Sequence, residues 1–187
     1  MPGKLINRIL PDDPDAGQPA EDASDYSLAD LLAPGRVACN VTARGKKHCL
    51  EIVSRLLTNN SESLTYSEVF DTIYQRERLG STSLGEGFAL PHGRVADLDH
   101  SIGAFLMLTS PIDFDLDGEG EVDMVFALAV PAESDEAHLK DLSEIAKILS
   151  RTNIREHVGG ITSSVALYEA LLELSRETAN NDSQPDA

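Results

Sequence analysis

The chain has 187 residues, 41% of them hydrophobic, and carries 32 acids against 15 bases for a net charge of −17. That length suits one domain with loose ends and a real core, and the apolar share argues against a wholly disordered chain. The charge argues against a nucleic-acid or anionic-membrane surface, which needs clustered Lys and Arg, and leaves a solvated acidic surface or a dock for a basic protein.

Residues 1 to 25 are rich in Pro, Asp, Ala and Gly and are expected to be a disordered acidic arm. The apolar stretch from Lys4 to Leu10 is too short for a signal peptide and runs straight into Pro11-Asp12-Asp13-Pro14-Asp15. No window approaches the roughly 20 apolar residues of a membrane span. Cys39 and Cys49 form neither a CxxC motif nor a disulfide framework, so reduced thiols and a cytoplasmic location are expected.

A domain is expected over 26–175. It opens with a short helix over 26–33 capped by Ser27, then a strand Val37–Val41. Leu50, Val53 and Leu57, widened by Ile52 and Leu56, repeat at helical spacing and predict a helix from Lys46 to Leu57, ended by Asn59-Asn60-Ser61. Thr65 with Glu68 is a capping-box pattern. The helix it starts buries Tyr66, Val69, Phe70 and Ile73 and delivers Arg76 to its C-terminal end, where a cation suits the dipole.

A loop holding Gly80, Gly85 and Gly87 then leads into the apolar run Phe88-Ala89-Leu90, which Pro91-His92-Gly93 is expected to stop. Gly93 is expected to permit a turn. His92 then stands at the mouth of a strand end, where open α/β sheets place their chemistry. Two buried strands follow, Ile102–Leu108 broken by Pro111 and Val122–Val130 broken by Pro131. Ser134 caps a helix that packs through Leu139, Leu142, Ile145 and Leu149. A short helix near Ile154–Val158 ends at Gly159-Gly160, and a last one over 164–174 packs through Leu167, Leu171 and Leu174. A flexible tail is expected over 176–187. Strands alternating with helices point to an α/β three-layer sandwich, with a mixed sheet of about five strands flanked by helices on both faces.

His92 reads as a neutral nucleophile near pH 7, with one ring nitrogen pinned by a carbonyl and a neighbouring glycine-bearing loop offering N–H groups; a structural histidine at a turn is the alternative. His138, in a first helical turn, stays neutral and able to donate, unless it is simply exposed there. Arg76 offers a fork for phosphate oxygens, against a surface ion pair with Glu77 or Asp71. Asp113, Asp115 and Asp117 begin a calcium-loop pattern, but its closing Glu would fall on Met124, so a solvated turn is the simpler reading. No dinucleotide fingerprint, GK[ST], GxSxG or HExxH occurs, and no cofactor or metal is expected. His48, His100 and His157 read as surface residues.

Arg76-Glu77-Arg78-Leu79-Gly80-Ser81-Thr82, followed by Gly85-Glu86-Gly87-Phe88-Ala89-Leu90-Pro91-His92-Gly93, resembles the signature of enzyme IIA domains of the bacterial phosphotransferase system. The fructose/mannitol type is most similar, and within it the nitrogen-regulatory IIA branch. Pro111-Ile112-Asp113-Phe114-Asp115, Pro131-Ala132 and Ala137-His138-Leu139 extend the resemblance over roughly 26–174. It implies a phosphohistidine carrier, a component of a phosphotransferase. The phosphoryl group would ride on His92, received from an HPr-type phosphocarrier protein, with His138 and Arg76 holding the group or its transition state. Phosphorylation would regulate partner proteins; transporters, kinases or an EIIB are the further partners it allows. A sugar-transport EIIA passing phosphoryl to an EIIB is the alternative, and a binding module that keeps only the fold is a third. No IIB-like or membrane IIC-like segment is legible here, which favours regulation. Glu86 departs from the pattern by placing a negative charge near the expected phosphate, unless it points to solvent.

Overall fold

In a computed structural model of the chain, the described residues are 28–115, 120–133, 142, 143, 145, 146, 148 and 154–182, with side chains described to 177 in the last helix. The elements in order are α1 (Leu28–Leu31), a 3-10 turn (Pro34–Arg36), β1 (Val37–Val41), α2 (Lys46–Leu57), α3 (Tyr66–Arg78), β2 (Ser83–Gly85), β3 (Phe88–Ala89), β4 (His92–Val95), β5 (Ile102–Asp113) and β6 (Glu121–Pro131). Helical residues at 142–143, 145–146 and 148 follow, then α4 (Ile154–Val158) and α5 (Ser164–Asp182). The last helix thus runs beyond the Leu174 end that its apolar spacing suggested. The acidic arm over 1–25, Ser27, Ser134 and His138 lie outside the described residues.

Among the described residues, six strands form one mixed sheet in the order β1-β5-β6-β3-β2, with β4 also paired to β6. β5 and β6 are an antiparallel pair at its centre; β1 lies parallel to β5, and β3 and β4 lie parallel to β6. Pro111 does not end β5. It falls, exposed, within the register shift between Met107 and Ile112, where a missing N–H costs no ladder bond.

The two faces follow from alternation along β6. Met124, Phe126, Leu128 and Val130 join Leu28, Leu31, Ile145, Ile154, Leu167, Leu171 and Leu174 in one core. Val125, Ala127 and Ala129 face the other way, into a core with Leu50, Val53 and Leu57 of α2 and Val69 and Ile73 of α3. The sheet contributes the small residues Ala89, Ala104, Ala127 and Ala129 to this second face. They let α2 and α3 lie close to the strands.

That closeness decides how the His92 segment is built. Phe88 sits opposite Met124, Ala89 opposite Val125 and His92 opposite Leu128, so β3 and β4 form one line along β6, interrupted only at Leu90-Pro91. His92 therefore follows the end of β3, as expected, and also opens a further strand on the same line. Gly93 is not a turn residue. A Cβ there would lie 2.6 Å from Thr72 Oγ1 and 2.9 Å from the Ile73 amide nitrogen, so its lack of a side chain is what lets α3 pack on β4. Thr65 caps α3, its side chain accepting the Glu68 N–H, and this fixes where the helix starts and hence where Arg76 ends up.

Candidate functional site

His92 is half-buried at the start of β4. Its Nδ1 lies 2.9 Å from the Leu90 carbonyl oxygen, which can only accept, so Nδ1 carries the proton. The lone pair of the neutral ring is then on Nε2, and Arg76 Nε donates to it at 3.2 Å. Arg76 Nη1 donates at 3.1 Å to the Gly80 carbonyl, which holds the guanidinium against the turn leaving α3. Burial from water keeps the imidazole below its ordinary value of 6.5; the Arg76 charge adds to this, while the Leu90 hydrogen bond and the Glu77 charge oppose it. The net result is an uncharged ring near neutral pH with a defined tautomer.

The ring opens onto a depression of about 340 Å³ whose lining includes Arg76, Ser81, Ser83, Leu90 and Ser143. A larger cleft of about 870 Å³ lies across Gly80 and Ser81, beside Lys46, Lys47 and Tyr74. It holds no comparable nucleophile: Lys46 is committed to Glu77 Oε1 at 2.6 Å and to the Phe114 carbonyl at 2.7 Å.

The sequence pattern placed the whole glycine-bearing loop beside His92, and the structure divides it: its Gly80 end stands by the ring, and Gly85 and Gly87 do not. Glu86 and Gly87, with φ of 52° and 86°, form a two-residue hairpin turn between β2 and β3. The Gly87 carbonyl accepts from the amides of Asp123 and Met124, whereas His92 pairs with Leu128. About five residues of strand separate the two levels, roughly 16 Å. Glu86 is exposed there, so its charge stands away from the His92 ring. Arg155 clamps this turn with a bidentate bond to Asp123 at 2.7 and 2.8 Å and a third to the Glu86 carbonyl at 3.0 Å. The turn that does flank His92 is Gly80–Ser83.

Arg76 and His92 are thus brought together from positions 16 apart in the chain. The expected alternative, an Arg76 ion pair with Glu77 or Asp71, is not what the guanidinium makes. Glu77 points into the core and bonds Thr82 and Lys46. His138 lies outside the described residues, as does the middle of the acidic loop after Asp115. Among the described residues no cluster of three or more His, Cys, Asp or Glu could hold a metal ion. His100 and His157 are exposed. His48 is half-buried instead, its Nδ1 accepting the Arg44 N–H at 3.2 Å. Cys39 and Cys49 are free thiols, and burial pushes Cys49 up to about 12, leaving it inert as a nucleophile.

Sequence inspection passed over Lys46 and Thr82, took Glu77 only as an ion-pair partner of Arg76, and expected a carbonyl on the ring without naming Leu90. One signal was available for Glu77. It continues the buried spacing of Val69 and Ile73 by one further helical step, where an acid can only sit if it is paired.

Comparison with known proteins follows the same lines. The family model of the phosphoenolpyruvate-dependent sugar phosphotransferase system, EIIA 2, matches residues 30–174. A nitrogen regulatory protein of Pseudomonas aeruginosa is 36% identical over 148 residues, covering 79% of this chain and 96% of that protein. The crystal structure of the nitrogen regulatory protein IIA-Ntr from Neisseria meningitidis superimposes with a TM-score of 0.69 at 33% identity, covering 77% of this chain and 98% of that one. The Escherichia coli mannitol IIA, solved in complex with phosphorylated mannitol IIB, shares the fold with a TM-score of 0.62 at 19% identity over 75% of this chain and 96% of its own.

Proposed function

This chain belongs to the EIIA type-2 family of the phosphoenolpyruvate-dependent sugar phosphotransferase system, and we propose that it is a nitrogen-regulatory phosphocarrier that accepts a phosphoryl group on Nε2 of His92. The observation that carries this is the ring's fixed tautomer: Nδ1–H is spent on Leu90 and the Nε2 lone pair is turned toward Arg76.

The step balances without a redox change. The Nε2 lone pair attacks phosphorus in line, a new N–P bond forms, and the donor's P–N bond breaks with its electron pair returning to the donor imidazole. The His92 ring keeps its Nδ1 proton and becomes cationic; the Leu90 carbonyl, already bonded to that proton, stabilises the charge. Arg76 releases Nε2 as phosphorus arrives, and its N–H groups pass to the phosphoryl oxygens a bond length away. Ser81, Ser83 and Ser143 border the space those oxygens would fill. Binding thus supplies orientation and charge cover, and the imidazole supplies the nucleophile.

The donor is an HPr-type phosphocarrier protein and the readout is regulation of partner proteins in the cytoplasm, the regulatory part supported by the naming of the relatives as nitrogen regulatory proteins. The added charge at a small surface depression would repel or recruit a partner. No helix of the described residues is long and apolar enough to cross a membrane. His138 would add a second neutral donor to the phosphoryl group. Capture experiments test the regulatory part. Phosphorylated wild type and His92→Ala are expected to retain different protein sets, and identical sets would overturn switching.

A further inference from the structure

We infer that Glu77 is a positioning residue for His92, acting through Thr82 and the Leu90 backbone to hold the imidazole in its reactive tautomer and orientation. The inference rests on His92 being the phosphoryl acceptor.

Glu77 is an improbable residue for its place. Its side chain is 3% exposed, in the last turn of α3, where the helix dipole disfavours an anion. Burying a carboxylate is costly, and an apolar side chain of similar volume generally serves stability as well or better. What the carboxylate does there is bind. Oε1 accepts the Thr82 N–H at 3.1 Å and Lys46 Nζ at 2.6 Å, and Oε2 accepts the Thr82 hydroxyl at 2.6 Å.

Thr82 then passes the constraint on. Its carbonyl accepts the Leu90 N–H at 2.9 Å, and the Leu90 carbonyl in turn holds His92 Nδ1 at 2.9 Å. Leu90 and Pro91 are the two residues at which the line of β3 and β4 is interrupted, so part of the sheet ladder that would otherwise fix the Leu90 peptide is missing. Thr82 takes over that task, and Glu77 fixes Thr82. The same turn anchors the other ring nitrogen, because Arg76 holds the Gly80 carbonyl while donating to Nε2. Lys46 ties the set to the end of β5 through the Phe114 carbonyl at 2.7 Å. Both nitrogens of His92 are therefore oriented from residues 76–82, and Glu77 is the buried peg of that turn.

The test uses the full chain and the variants Glu77→Gln, Thr82→Val and Thr82→Ser. Without any phosphodonor, ¹⁵N NMR of the His92 ring reports its tautomer. Wild type and Thr82→Ser are expected to show Nδ1–H, and Glu77→Gln and Thr82→Val a mixture with Nε2–H. With the donor, the two disrupting variants are expected to lose about 10- to 100-fold in the maximal transfer rate, as displacement of a reacting group on the order of 1 Å does, with the donor half-saturation concentration little changed. Should Glu77→Gln fail to fold, Thr82→Val decides, since it leaves the Lys46–Glu77 pair intact. A folded Glu77→Gln protein with pure Nδ1–H and wild-type transfer would overturn the role of Glu77, and the same result for a folded Thr82→Val protein would overturn its relay through the Thr82 hydroxyl. Persistent phosphorylation of His92→Ala would instead remove His92 as acceptor, and the tautomer result would stand apart from it.

Discussion

Gly93→Ala ties the packing of α3 to the chemistry of His92. The added methyl would lie 2.6 Å from Thr72 Oγ1, 2.9 Å from the Ile73 nitrogen and 3.0 Å from the Thr72 carbonyl carbon. Thr72 Oγ1 can move only by leaving the Val69 carbonyl, which it holds at 3.1 Å, and the other two atoms are helix backbone. To restore ordinary contact, β4 and α3 must separate by about 0.5 Å or more. Overpacking of this kind costs about 1–3 kcal/mol. For a domain of this size each kcal/mol lowers Tm by roughly 2–4 °C, so a fall of about 2–12 °C is expected by calorimetry. The same separation stretches the 3.2 Å bond between Arg76 and His92, and phosphoryl acceptance at a temperature where both proteins are folded is expected to drop about tenfold. A variant that melts with wild type and accepts phosphoryl at the same rate would refute the claim that contact with α3 sets the site.

His92 titrates below its ordinary 6.5, chiefly because it is buried. The unfolded chain therefore binds the proton more readily, so stability is full above about 6.5 and declines as pH falls toward the folded value. Chemical denaturation across that range should show the slope in wild type and lose it in His92→Gln, and Arg76→Ala should move the NMR midpoint of His92 upward; a midpoint above 6.5 in wild type would contradict the assignment. Thr65→Ala removes the cap of α3 and is expected to cost about 1 kcal/mol in thermal unfolding. Unchanged stability would mean that the cap bond contributes nothing.

Much of the fold was legible because its signals are local and periodic. The α2 stripe of Leu50, Val53 and Leu57 and the Thr65–Glu68 cap gave helix limits that the structure keeps. Pro111 misled because a proline stops a strand only where its N–H is needed, and β5 has a register shift at that point. Gly93 misled for a related reason: a glycine can mark a close neighbour as well as a turn, and α3 is distant in sequence from β4 only by the hairpin between them. His92 and Arg76 were readable as a pair through the motif that contains both. Glu77 was hidden, since its partners Lys46 and Thr82 come from outside α3 and only the folded chain reveals why an acid continues an apolar stripe.

The proposed chemistry puts the phosphoryl group on one imidazole nitrogen, Nε2 of His92. Incubation with a phosphoenolpyruvate-driven donor pair, followed by ³¹P–¹⁵N NMR and mapping of the acid-labile label, measures this directly. The expected result is one label per chain on His92 Nε2, absent from His92→Ala and slowed in a folded His138→Ala. A label of equal extent on His92→Ala, or one found on Nδ1 or on another residue of the wild type, would contradict it.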